Sequence, residues 1–289
     1  MVAPITAWDD SWDRYPFFAC FDENDRLIRP YYKDTALGAA ASDKSNAYVS
    51  DKTIQIDHDV TLNSLFLLNQ NKNKWLGEGR TLTLTSGGLV LRNSSSAIGL
   101  PGRTDNGSLV LGDATHPGYV FAKSGSASQP NQIWADVTAP GGFVAAYTGY
   151  LVLGGSQTNI ADEIAVNAGT LALGDADHAC ALAEDLPVRV YANATLSVPN
   201  ADSLAGAILK MDGAAGWFGK VEIPAGVAAR CKEAYWRDYP ETPDWQSLPS
   251  GIYGSSDSLA TIVRDDLFTG SGTLTVGDSA PASTMILLW

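Results

Sequence analysis

Apolar and polar residues alternate in short runs along much of the chain. Thr81-Leu82-Thr83-Leu84, Ser108-Leu109-Val110-Leu111, Thr170-Leu171-Ala172-Leu173 and Thr195-Leu196-Ser197-Val198 are the clearest. A period of two sends successive side chains to opposite faces of an extended chain, so each run predicts a strand with one buried face. The best runs open on Gly and close on Gly-Asp or Gly-Gly, residues that suit tight turns. A second short strand is expected ahead of several: 163–166 before 170–173, 188–190 before 195–198, and 53–56 before 60–62. Helical spacing is confined to three short stretches, 181–186, 201–210 behind Asn200 as cap, and 257–267.

The runs also recur. Gly107-Ser108-Leu109-Val110-Leu111-Gly112-Asp113-Ala114-Thr115-His116 returns 62 residues later as Gly169-Thr170-Leu171-Ala172-Leu173-Gly174-Asp175-Ala176-Asp177-His178, with seven of ten positions identical. Weaker copies stand at 88–91, 149–154, 194–198 and 272–278. Aligned on Leu89, Leu109, Leu151, Leu171 and Leu196, the steps are 20, 42, 20 and 25 residues, with a missing copy near 133–135. The offset of 62 then reads as three periods. A unit of about 20–25 residues cannot bury its own inner face, but stacked units can, with Leu, Ile and Val forming ladders.

The expected fold is therefore all-β: a right-handed parallel β-helix, a single-stranded solenoid of about 20–25 residues per coil, with an N-terminal capping segment. A propeller blade needs about 40–45 residues, and leucine-rich repeats need an Asn or Cys ladder and a helix in each unit. A β-sandwich would not produce a near-copy at three equal periods. Residues 1–48 are not repeat-like. They hold Trp8, Trp12, Tyr15, Phe17, Phe18, Phe21, Tyr31 and Tyr32 among many Asp residues, and read as a cap or small flanking domain. Residues 49–289 are assigned to the β-helix, with an aromatic loop at 231–247 and closing strands at 268–289.

Composition narrows the partners. With 19 basic and 32 acidic residues the net charge is −13, so no phosphate-binding face and no nucleic-acid partner are expected. Seven of the acids are Glu and 25 are Asp, which favours turns and caps over helix interiors. No apolar run reaches the length of a membrane span. Cys20, Cys180 and Cys231 lack any CxxC spacing and read as small buried hydrophobes, with a Cys180–Cys231 disulfide left open.

The repeat residues resemble the autotransporter-associated β-strand repeat proteins of Verrucomicrobia and related bacteria. The likeness runs through 53–65, Arg80-Thr81-Leu82-Thr83-Leu84-Thr85-Ser86-Gly87-Gly88, 194–198 and 220–226. Leu248-Pro249-Ser250-Gly251-Ile252-Tyr253-Gly254 and 268–276 resemble the closing module of such proteins. The resemblance implies an exported right-handed β-helix at the outer surface of a Gram-negative cell or secreted from it, its signal peptide removed. Such repeats usually serve as stalks, adhesins and scaffolds. The chain departs from that pattern in having no translocator barrel and in the aromatic insertion before Gly251.

That insertion, Tyr235-Trp236-Arg237-Asp238-Tyr239-Pro240-Glu241-Thr242-Pro243-Asp244-Trp245, supplies the candidate ligand-binding residues: Tyr235, Trp236, Arg237, Asp238, Tyr239, Asp244 and Trp245. Flat aromatic faces stack on sugar rings while acids and Arg hydrogen-bond hydroxyls. The alternative role for the same residues is packing against the side of the solenoid.

Catalytic motifs are absent: there is no GxSxG, HExxH, P-loop or GxGxxG. Asp34-Thr35-Ala36 resembles the Asp-Thr-Gly of aspartic peptidases without a second copy, which leaves Asp34 as a lone catalytic candidate. Asp57-His58-Asp59 reads as a solvated turn, and Asp113, His116, Asp175 and His178 as repeat-turn residues. No cofactor is expected, with Ca²⁺ in Asp-rich turns the one metal considered. The expected function is a non-catalytic adhesin or scaffold that binds host or environmental glycans or glycoproteins. The alternative is a secreted Asp-dependent peptidase or glycosidase acting on mucin-type glycoprotein or polysaccharide.

Overall fold

The computed structural model describes residues 54–277 apart from 69–72, 77–78, 93–94, 104, 124 and 147. It also describes the strand Asn46–Ser50 and the two-residue strands Cys20–Phe21, Leu27–Ile28 and Lys33–Asp34. Apart from those strands the expected N-terminal cap lies outside the described residues, as does the run 278–289, Asp278 included. The chain is all-β: no helix occurs among the described residues, and most strand pairs are parallel.

Most strands fall into three series; outside them, Gly155–Gln157 pairs with Cys180–Leu182, and Ala228–Cys231, Thr273–Val276, Gly251–Gly254 and Ile262–Val263 form a sheet of their own. The first joins 60–62, 81–84, Ser108–Leu111, Asp136–Ala139 and Asn159–Ile160. The second runs from Asn46–Ser50 through 64–68, 88–91, Gly118–Ala122, Phe143–Ala146, Ile164–Val166, Pro187–Val190 and Ile208–Ala214 to Glu233–Tyr239. The third joins Ile54–Ile56, Asn73–Leu76, Ala97–Ile98, Asn131–Ile133, Tyr150–Leu153, Gly169–Leu173, Ala194–Ser197, Lys220–Glu222 and Phe268–Thr269. From residue 54 to 173 the chain visits third, first and second series in unbroken rotation.

Register explains the alternation. Leu65, Leu89, Val120, Ala145, Val166, Val190, Met211 and Trp236 pair in one continuous row across the second series. Asn131, Leu151, Leu171, Leu196, Val221 and Phe268 do the same in the third. In the two rows only Trp236 is more than slightly exposed. Burying a Leu, Ile or Val side chain contributes roughly 1.5–3 kcal/mol, so each added strand extends the core by one residue per row.

Several sequence expectations are corrected. Leu151, Leu171 and Leu196 do pair directly, but Leu89 belongs to the second series and Leu109 to the first, where it pairs with Leu82 and Val137. The decapeptides 107–116 and 169–178 therefore end strands of different series, and their offset of 62 is not three whole rounds. Long corners, such as 99–107 between adjacent strands, break the equal spacing. The three helical stretches are also absent. Residues 180–182 form a strand beside 155–157. At 200–207 there are successive four-residue turns, with the Asn200 side chain accepting from the Asp202 amide at 3.1 Å. Gly206, at φ +84°, ends those turns, and Leu209 and Met211 then take inward places beside Val188 and Val190. Of 257–267, only Ile262–Val263 has regular structure, as a strand against Tyr253-Gly254. Cys180 and Cys231 are both free and buried, so they form no disulfide.

Candidate functional site: a cationic and aromatic face on the last strands

The end of the second series carries the densest cluster of interacting charged and aromatic side chains among the described residues. Val188, Val190, Leu209, Met211 and Ala234 point into the core. Alternation then puts Arg189, Lys210, Asp212, Tyr235 and Arg237 on the opposite, outward face. In the parallel register Arg189, Lys210 and Tyr235 form one row, and Asp212 stands directly beside Arg237 in the next.

Asp212 is only 6 % exposed although it faces outward. Two guanidiniums cover it: Arg189 donates its Nε to Oδ2 at 2.5 Å, and Arg237 donates its Nε to Oδ1. Sharing the carboxylate fixes both planes. Arg189 lies over Tyr191 at 4.3 Å from the ring centroid, and Arg237 lies over Trp245 at 4.4 Å. Arg189 and the Lys210 ammonium also reach the Trp245 ring, at 5.7 and 5.8 Å. Cations within about 6 Å of an indole face are attracted by its quadrupole. Lys210 makes no ion pair among the described residues.

The segment expected as a loop is a β-hairpin. Glu233–Tyr239 turns back as Thr242–Ser247, with Tyr235 opposite Ser247, Trp236 opposite Gln246, and an irregularity before Asp238. The return strand brings Trp245 onto Arg237. A second, tighter hairpin stands beside it. Ala214 pairs with Trp217 on one side and with Tyr239 on the other. Ala215 and Gly216, at φ +52° and +82°, make the turn, with the left-handed pair of residues that a two-residue hairpin favours. Asp238 holds it by accepting from the Gly216 amide at 3.0 and 3.1 Å. Trp217 and Tyr239 are left 69 % and 65 % exposed in one row. Trp217 also walls a cleft of about 340 Å3 with Asn193, Thr195, Lys220 and Asp266.

Of the residues singled out in the sequence, Arg237 and Trp245 meet, Tyr235 shares their face, and Tyr239 stands at its tip. Asp238 is engaged by the Gly216 turn. Asp244 is exposed on the return strand. Trp236 points the other way: it packs against the core, edge-on to Phe218 at 5.9 Å, with the Arg264 guanidinium 4.9 Å from its ring. Tyr235 donates its hydroxyl to Glu233 at 2.5 Å, and that bond raises its pKa above the ordinary phenol value. Arg189, Tyr191, Lys210, Asp212 and Trp217 are not evident from the sequence as site residues. The signal that would have found them is the register itself, since Arg189 lies 21 residues before Lys210 and Lys210 lies 25 before Tyr235.

The Asp-His turns are local devices. Asp113 accepts from the Thr115 and His116 amides at 2.7 and 3.0 Å, and its Oδ1 lies 2.9 Å from His116 Nδ1. Asp175 repeats the pattern with Asp177 and His178 at 2.9 and 2.7 Å, and with His178 Nδ1 at 2.9 Å. The Thr115 hydroxyl and amide, then His116, hold the Asp113 carboxyl well below the usual range. His58 meets Asp57 alone of its two acidic neighbours, Nδ1 to Oδ1 at 2.8 Å. Asp59 instead accepts from the Thr81 amide at 2.9 Å. Asp34 sits in a two-residue strand beside Ala47-Tyr48, and its side chain lies outside the described residues. Among the described residues no group of three or more His, Cys, Asp or Glu side chains could hold a metal ion. No helix of the described residues is long and apolar enough to cross a membrane. No protein family, curated protein or solved structure matches the chain.

Proposed function

We propose that the chain is a right-handed parallel β-helix of the autotransporter-associated repeat kind, exported to the cell surface or beyond, which binds glycans or glycoproteins as an adhesin or scaffold. The rotation of the strands through three parallel series supports the fold reading. The observation that carries the binding reading is the outward face at the end of the second series. There Trp245 lies against two guanidiniums fixed by Asp212, beside the exposed rings of Trp217 and Tyr239.

Such a face suits a carbohydrate for a physical reason. One side of a pyranose ring presents C–H groups and its rim presents hydroxyls, so it needs a flat apolar surface bordered by fixed hydrogen-bond donors. Trp217 and Tyr239 offer the surface. Arg189 and Arg237 each commit Nε to Asp212 and keep their terminal nitrogens for a ligand. The donors are ordered before binding, which lowers the entropy cost of binding. The test is a glycan array probed with the wild-type chain and with Trp217→Ala and Trp245→Ala. The reading expects binding that either substitution weakens at least tenfold without changing thermal stability. A wild-type chain that binds no glycan overturns it.

A further inference from the structure

We infer that this face selects acidic glycans, those carrying a carboxylate or a sulfate ester, over neutral ones. The inference rests on the glycan-binding reading above and adds the class of ligand. Its basis is a local excess of positive charge in a chain of net charge −13. Around the Trp245 ring, Arg237, Arg189 and Lys210 all stand within 6 Å, and the one carboxylate among them is that of Asp212.

Among the described residues no acid other than Asp212 pairs with Arg189, Lys210 or Arg237. Glu233 accepts the Tyr235 hydroxyl at 2.5 Å. Asp244 precedes Trp245 on an extended strand, so its side chain leaves from the opposite face. Asp212 itself is buried beneath the guanidiniums and hidden from a ligand.

A structural role alone would be met by one Arg on Asp212. Here two guanidiniums share it and a third, unpaired cation stands beside the same indole. Like charges this close repel, and nothing in the core requires Lys210 to be there. An anion over the Trp245 edge would be received by the terminal nitrogens of both Arg residues and by the Lys210 ammonium, while the adjoining sugar ring packs on an indole. Charge-assisted hydrogen bonds of this kind are about twice as strong as neutral ones.

The experiment compares one oligosaccharide core in three forms, neutral, sialylated and sulfated, on wild type, Lys210→Ala and Arg230→Ala. Arg230 is an exposed cation whose Asp202 partner is 3.8 Å away, apart from this face. Acidic forms are expected to bind wild type at least tenfold more tightly than the neutral core. That preference should weaken with added salt, fall about tenfold in Lys210→Ala and persist in Arg230→Ala. The sialylated and sulfated arms distinguish carboxylate from sulfate recognition. Equal binding of all three forms overturns acid selectivity while leaving the glycan reading intact, and no binding of any form overturns both. An acid preference that is unchanged in Lys210→Ala, or that falls equally in Lys210→Ala and Arg230→Ala as overall charge would require, overturns this site.

Discussion

The indole of Trp245 lies over the guanidinium of Arg237, with Cζ 4.4 Å from the ring centroid, although the two belong to opposite strands of a hairpin. Arg237 is held there from below by Asp212, one strand inward. The order of dependence is therefore carboxylate, then guanidinium, then indole.

That order predicts unequal effects of substitution. Asp212→Ala strips the shared partner from two partly buried cations and is expected to cost about 3 kcal/mol, the low end for a buried pair because both Arg side chains keep some exposure. Arg237→Ala leaves Asp212 bonded to Arg189 and should cost less than half as much. Trp245→Ala should leave stability nearly unchanged. Urea unfolding of the three variants followed by tryptophan fluorescence and circular dichroism checks the ranking, and an Asp212→Ala effect no larger than that of Arg237→Ala contradicts it.

The two Gly-Asp-x-x-His turns predict a matched pair of effects. Gly112 and Gly174 stand at φ +66° and +78°. A Cβ on either would sit far inside contact distance of the carbonyl oxygen four residues on, that of His116 or His178. A left-handed conformation costs a non-glycine residue about 1–2 kcal/mol, and the clash adds to it. Gly112→Ala and Gly174→Ala are each expected to destabilise by about 2 kcal/mol or more. Gly226→Ala is the control: its φ is +79°, but a Cβ there meets nothing within 4 Å, so only the conformational cost applies. Thermal unfolding of the three variants should rank them in that order.

The sequence made the strands legible because each one alternates where one face is buried. The expected 170–173 and 195–198 appear as Gly169–Leu173 and Ala194–Ser197. It misled on which strands are equivalent, because Leu109 and Leu171 stand in near-identical decapeptides on different series. The decapeptide encodes a local strand and an Asp-capped turn, and both copies form it, whereas the series a strand joins depends on corner lengths that no local pattern reports. The same blindness hid the site. Asp212 looked like one Asp among 25, and its meaning comes from Arg189 and Arg237, 23 and 25 residues away. Gln157 is another case. It is fully buried, accepting from the Val137 amide at 3.0 Å and donating to the Ala135 and Gly154 carbonyls, which nothing in its neighbourhood announces.

The buried thiols predict a chemical behaviour. Burial raises the Cys180 thiol pKa far above its ordinary value and pushes that of Cys231 up to about 12. Only the thiolate reacts rapidly with disulfide reagents. In a Cys20→Ser background neither cysteine should react with Ellman's reagent at pH 8 until the chain is unfolded, when two thiols should titrate. Rapid reaction of the native chain contradicts the burial of these strands.

Acid should weaken the closing strands through Asp266. Arg264 donates Nε and Nη2 to its two oxygens at 2.8 and 2.6 Å, and this bonding, ahead of a smaller opposing effect of burial, lowers the Asp266 pKa. A carboxyl whose folded pKa lies below the unfolded value of about 3.9 stabilises the fold above that value, and the contribution is lost as pH falls through the folded pKa. The pair is two-fifths exposed on the Asp side, so the effect should stay below about 1 kcal/mol. The same guanidinium lies 4.9 Å from the Trp236 ring, so losing the pair also loosens the platform under the hairpin. Urea midpoints at pH 7 and pH 3 provide the check. Asp266→Asn should be less stable than wild type at pH 7, and the gap should narrow at pH 3, which lies below the unfolded-state value, so that part of the contribution is lost. A gap of the same size at both pH values would mean that the Arg264–Asp266 contact contributes through shape and not through charge.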